Sequence, residues 1–156
     1  MDTKKVQELI CKGDLDHDFL DIYIDADKLE YQKKRYINAI TKFVEYYGDG
    51  NIQIFSAPGR SEIGGNHTDH QRGCVLAGSV NMDILASVAP NALGQIRLKS
   101  EGYDPIIVDI ADLAKRQEEE NTSASILRGT CKAYEDLGAK LHGLDIAMIS
   151  NVPKGS

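Results

Sequence analysis

The spacing of apolar positions changes near residue 50. Before that point Val6, Leu9 and Ile10 recur at helical intervals, and over residues 29–47 Ile37, Ile40, Phe43 and Val44 gather on one face of a second helix that Gly48, Asp49 and Gly50 close. After it the apolar runs shorten to strand length, at residues 52–55, 74–77, 80–88, 95–98 and 105–110. Residues 90–94, Pro-Asn-Ala-Leu-Gly, read as a turn. Connections this short predict neighbouring antiparallel strands in one sheet, because a parallel crossover needs a longer link. Thr122 and Ser123 are placed to cap a helix that carries Ile126, Leu127 and Tyr134 and stops near Gly138. Residues 143–150 read as a last strand with Leu144, Ile146 and Met148 on one side. Two charged stretches fall outside this pattern. Residues 112–121 read as an exposed helix end or loop, and the acidic stretch 14–21 as a solvated connection between helices.

Length and composition narrow the class. A chain of 156 residues with 42% hydrophobic and 27% charged residues suits one soluble globular domain with a real core. The formal net charge is -6, and Lys33-Lys34-Arg35 is the one tight basic cluster, so neither nucleic acid nor an anionic membrane is an expected partner. No apolar run reaches the ~18 residues of a membrane helix, the N-terminus lacks a signal-peptide core, and a cytoplasmic location is expected. Cys11, Cys74 and Cys131 are widely spaced and fit free thiols rather than a disulfide framework. Asp14, Asp16 and Asp18 alternate as in a calcium loop, but Phe19 and Asp25 stand where such a loop needs glycine and glutamate. No metal site is expected there.

The chemistry concentrates in residues 57–76, APGRSEIGGNHTDHQRGCVL, read as a glycine-permitted turn between two strands. Packing alone gives no reason to crowd Arg60, Asn66, His67 and Asp69 into ten positions, since charged and amide groups are costly to bury unpaired. Three readings stand side by side. Asn66 and Asp69 could serve the hydroxyls of a polyol or sugar phosphate while Arg60 offers its fork to a phosphate. His67, Asp69 and His70, with Cys74 close by, could hold a metal, although this is no recognised zinc spacing. His67 and Asp69 could simply bond the backbone of a tight turn. The last reading leaves Arg60 unexplained, because an arginine after Pro58-Gly59 at a strand end suits a planar anion better than a core.

At these residues the sequence resembles the galactokinases of the GHMP kinase superfamily, whose signature reads approximately GRxNLIGEHTDYxxGxVLP. Gly59, Arg60, Gly65, His67, Thr68, Asp69, Gly73, Val75 and Leu76 match in register. The likeness continues through Arg128-Gly129 to residues 151–156, Asn-Val-Pro-Lys-Gly-Ser, which resemble the lead into the GLSSSA phosphate-binding loop of that family. The departures are Asn66 for the sugar-contacting glutamate, Glu62 for asparagine, His70 for tyrosine and Ala77 for proline. Ser123 and Ile126 stand where many galactokinases carry aromatics near the adenine.

The resemblance implies an α+β fold, the GHMP kinase N-terminal domain, with a mainly antiparallel sheet and packed helices. The order of elements read from the sequence agrees with it. Residues 1–50 would form a helical N-terminal segment and residues 51–156 the first part of the kinase domain, truncated before the phosphate-binding loop. Arg60 would approach the transferring phosphate, and Asn66, His67 and Asp69 would face the sugar. The implied partners are galactose or a related sugar and ATP, with Mg2+ whose ligands lie beyond residue 156 and no tightly held transition metal. The expected function is that of the N-terminal fragment of an ATP-dependent sugar 1-kinase, inactive by itself. A galactokinase-like sugar sensor that acts through a regulator is the competing expectation.

Overall fold

The computed structural model of the chain describes residues 1–65 and 72–153. Its elements run α1 (Thr3–Lys12), α2 (Asp16–Tyr23), a single 3-10 turn (Ala26–Lys28), α3 (Leu29–Tyr47), β1 (Gln53–Gly64), β2 (Leu76–Asn91), β3 (Gln95–Ser100) and β4 (Ile106–Asp109). A second 3-10 turn (Gln117–Glu119), α4 (Ser123–Asp136) and β5 (Gly143–Ser150) follow. Local chemistry sets the helix ends. Asp2 accepts from the backbone of Lys4 and Lys5 at the start of α1, Gly13 ends it with φ +83°, and the Thr122 hydroxyl accepts from Ser125 N at the start of α4. The acidic stretch behaves differently from its sequence reading. It folds as α2, because Phe19 and Tyr23, four residues apart, supply a buried face that the aspartates around them conceal.

The sheet order is β1-β2-β5-β3-β4. The turn at residues 90–94 therefore joins strands that are not neighbours: β5 lies between β2 and β3, antiparallel to the first and parallel to the second. Strands lie ~4.8 Å apart, and a few extended residues reach ~10 Å, so a short turn can step over one strand. Side chains fix the inserted strand. The Asn91 amide donates to the Gln95 carbonyl at 3.1 Å and to Asp145 Oδ1 at 2.7 Å. Arg97 grips Asp145 with two bonds of 2.7 Å. Gly143 pairs with Asn91, where a Cβ would stand 2.2 Å from Asn91 Oδ1. The sequence reading of β3 and β4 as antiparallel neighbours holds.

Each face of the sheet carries a core over part of its width. On one, Ile10, Phe19, Tyr23, Tyr36, Ile40 and Phe43 from the first three helices pack on Ile52, Leu85, Ala89, Ala147 and Ile149. On the other, Leu113, Leu127 and Cys131 pack with Ile96, Val108, Leu144 and Ile146. Alternate residues of β5 thus serve two cores, where the sequence had assigned it one apolar side. In α4 the large apolar residues Ile126 and Tyr134 are exposed and Arg128 is buried, held by two 2.7 Å bonds to Glu119. The charged stretch before α4 accordingly carries the partner of a buried arginine and the buried Leu113, and is not simply solvated.

Candidate functional site

Of the stretch 57–76, residues 57–64 lie on β1 and Leu76 opens β2, the two strands of a long antiparallel pair. β1 continues through Gly64 and β2 resumes at Leu76, which puts Arg60 on a strand. The ladder runs regularly from Gln53↔Val88 to Pro58↔Asp83 and then skips to Arg60↔Ser79. One residue of β1, Gly59, therefore stands opposite Val80, Asn81 and Met82, so two residues of β2 have no partner. Such a bulge bends the strand and re-aims the side chains beyond it. A second irregularity follows between Glu62 and Gly64.

Two glycines make this path possible. A Cβ on Gly59 would stand 3.1 Å from a Val152 methyl and 3.2 Å from one of Val80. Gly65 has φ +79°, and a Cβ there would lie 2.3 Å from the Cys74 carbonyl oxygen. Arg60 is 71% exposed in its side chain and donates to Glu62 Oε1 at 3.2 Å, so its guanidinium is accessible to an anion. Asn66, His67 and Asp69, together with His70, lie outside the described residues. Cys74, which precedes β2, is exposed.

Beneath the bulge lies a polar cluster that the sequence reading missed. Asp83 is 2% exposed. Its carboxylate accepts from Arg35 at 2.7 Å, from Ser56 Oγ at 2.6 Å and from the Tyr23 hydroxyl at 2.5 Å. Its backbone N–H donates to Asn151 Oδ1 at 2.8 Å, and its carbonyl accepts from Asn151 N and Arg35, each at 3.2 Å. Burial pushes the Asp83 carboxyl up, but the hydrogen bonds from Ser56, Tyr23 and Arg35 outweigh it, and the group stays below the usual carboxylate range. Burial and the bond to Asp83 push the Tyr23 hydroxyl well up. The signal for this hub was an acid inside the apolar run of residues 80–88, since buried aspartates are rare unless paired. Its partner Arg35 was hidden in the basic triplet.

An open cavity of about 560 Å³ adjoins the cluster, bounded by Ile22 and Ile24 on one side and by Pro58, Ser79 and Met82 of the hairpin on the other. Ser79, on its rim, is the residue paired with Arg60. The site can therefore offer a cation, hydroxyl and amide groups, and an apolar wall within one region.

Comparison with known proteins places the hairpin in a family. Residues 41–90, from the end of α3 through nearly all of β2, match the family described as the galactokinase galactose-binding signature. The chain is 29% identical over 129 residues to a galactokinase of Clostridium tetani, covering 82% of this chain and 33% of that protein. It is 32% identical over 117 residues to a galactokinase of Streptomyces coelicolor, covering 74% of this chain and 30% of that one. Among solved structures, Lactococcus lactis galactokinase in complex with galactose superposes with a TM-score of 0.63 and 23% identity, over 73% of this chain and 30% of its own, which is a likeness of fold. The chain spans about a third of the length of these relatives. It is a galactokinase-like N-terminal segment of the GHMP kinase superfamily and carries the family's galactose-binding signature.

Proposed function

We propose that this chain is the sugar-recognising part of an ATP-dependent kinase that phosphorylates galactose, or a closely related sugar, at its anomeric hydroxyl. The observation that carries the reading is the coincidence of the galactose-binding signature with the bulged β1–β2 hairpin and its exposed Arg60. In this reading Asn66, His67 and Asp69 take the sugar hydroxyls, and Arg60 stabilises charge on the phosphoryl group as it moves. Phosphoryl transfer requires little covalent chemistry from the protein and depends on placing the accepting hydroxyl and on charge stabilisation. ATP supplies the phosphoryl group. Arg60 fits a phosphate oxygen, whereas among the described residues no three His, Cys, Asp or Glu side chains gather as a metal site. The Mg2+ ligands and the catalytic base are assigned to the part of the relatives' length that this chain does not match, and the chain alone is expected not to turn over.

Ligand-observed NMR with galactose, glucose and mannose tests recognition directly, alongside an ADP-release assay with MgATP. The reading expects saturable galactose binding by the chain, at least a tenfold loss in Asp69→Ala through removal of a charged acceptor, and background ADP release. Equal binding of all three hexoses, or none of any, would remove it.

A further inference from the structure

A strand with two unmatched residues has no intrinsic reason to keep them in one place, and a one-residue slip of β2 would turn its side chains to the other face. The chain prevents this from outside the hairpin. On one side of the bulge, Asp83 is the last residue in regular register with β1, at Pro58, and the Tyr23 hydroxyl donates to its carboxylate. Inside the bulge, Asn81 donates through its side-chain amide to the Tyr23 carbonyl at 2.6 Å. One residue at the end of α2 thus holds β2 at two points two residues apart. Ser56 ties the same carboxylate to β1, and Asn151 continues the β5 ladder past Ile84↔Ser150 with bonds to both backbone groups of Asp83. The next residue after Tyr23, Ile24, sits at φ +62°, which a β-branched residue rarely adopts and which the surrounding contacts must hold.

We propose that Tyr23 and Asp83 are positioning residues for sugar recognition: they lock the bulge at residues 80–82 and so hold the register that sets Arg60 against Ser79. This rests on the galactose reading only for its consequence. The register itself can be read without any ligand. Tyr23 lies outside residues 41–90, so the aim of the signature arginine depends on a helix that the signature does not contain.

The test uses the whole 156-residue chain. Tyr23→Phe removes one hold and leaves the ring packed against Tyr36, Asn81→Ala removes the other at an exposed position, and the double variant removes both. Thr122→Ala, at the start of α4, is the control that lowers stability without touching the hairpin. The cross-strand NOE between Arg60 and Ser79 reports register, and galactose titration reports recognition. The double variant should lose that NOE or show a second set of hairpin signals, with galactose affinity reduced roughly tenfold, as for loss of a hydrogen bond to a charged group. Thr122→Ala should leave both unchanged. A retained Arg60–Ser79 contact in the double variant would overturn the lock. A shifted register with unaltered galactose affinity would overturn its tie to recognition. Should the unmodified chain bind no galactose, the functional reading fails while the NOE still decides the lock.

Discussion

Among single residues, Asp83 and Arg35 carry the largest electrostatic stake. Both are buried, at 2% and 9% exposure, and each satisfies the other with further bonds around it. Arg35→Ala would leave the Asp83 carboxylate buried without its cation, which typically costs about 3–5 kcal/mol. Urea unfolding followed by circular dichroism should read that loss. The same pair shapes the acid limb of stability. The folded Asp83 carboxyl lies below its unfolded value of about 3.9, so its contribution is full above that pH and is lost as pH falls through the lower folded value. The melting temperature should therefore fall below about pH 4, and less steeply in Asp83→Asn. On the alkaline side burial pushes the Tyr47 hydroxyl up to about 12 and raises Tyr23 and Tyr36 as well. Their stabilisation is complete below about pH 10 and is lost as pH rises through the folded values. Phenolate absorbance from these three should appear only at higher pH or with unfolding.

The elements differ in how far the sequence discloses them. α1, α3 and α4 were legible because their period and caps are local: Thr122 bonds Ser125 as its position suggested, and Thr122→Ala should cost about 1 kcal/mol in thermal denaturation. The strands were legible as runs, but the neighbours of β2 were not. A turn's length limits how far the chain travels and does not say whether another strand is inserted within that reach. α2 escaped because one apolar pair, Phe19 and Tyr23, lies among three aspartates. At the site, the exposed Arg60 could be picked out from residue type and spacing. The Asp83 cluster could not, since Tyr23, Arg35, Ser56 and Asn151 come from α2, α3, β1 and the end of β5 and meet only in the folded chain. The hairpin also gives a local test. Gly65→Ala would set a methyl against the Cys74 carbonyl at a left-handed backbone position, at an exposed residue that belongs to neither core cluster. It should weaken galactose binding while lowering the global unfolding free energy by only about 1–3 kcal/mol.

Across the whole molecule, the placement of β5 ties the two cores together. Ala147 and Ile149 pack under the first three helices, and Leu144 and Ile146, on the same strand, face β3, β4 and α4. Tyr47 adds a second tie by donating from the end of α3 to the carbonyls of Arg97 and Ile146. Neither core can come apart without stripping one face of β5. Residues 1–50 and 51–156, separable by their sequence patterns, should therefore unfold as one cooperative unit. Phe43→Ala in the helix-side core should cost about 3–5 kcal/mol and Ile96→Ala in the other about 2–5 kcal/mol, each through lost burial and the cavity left behind. Because Phe43 and Ile96 belong to separate core clusters, the double variant should sum the single losses to within about 0.5 kcal/mol. In urea, far-UV circular dichroism, which weighs the helices, and the backbone amide NMR signals of β3 and β5, which report the sheet, should trace coincident transitions for every variant. A helical signal that melts ahead of the sheet in Phe43→Ala would show that α1–α3 are only docked on the sheet, and the single-unit reading would fall.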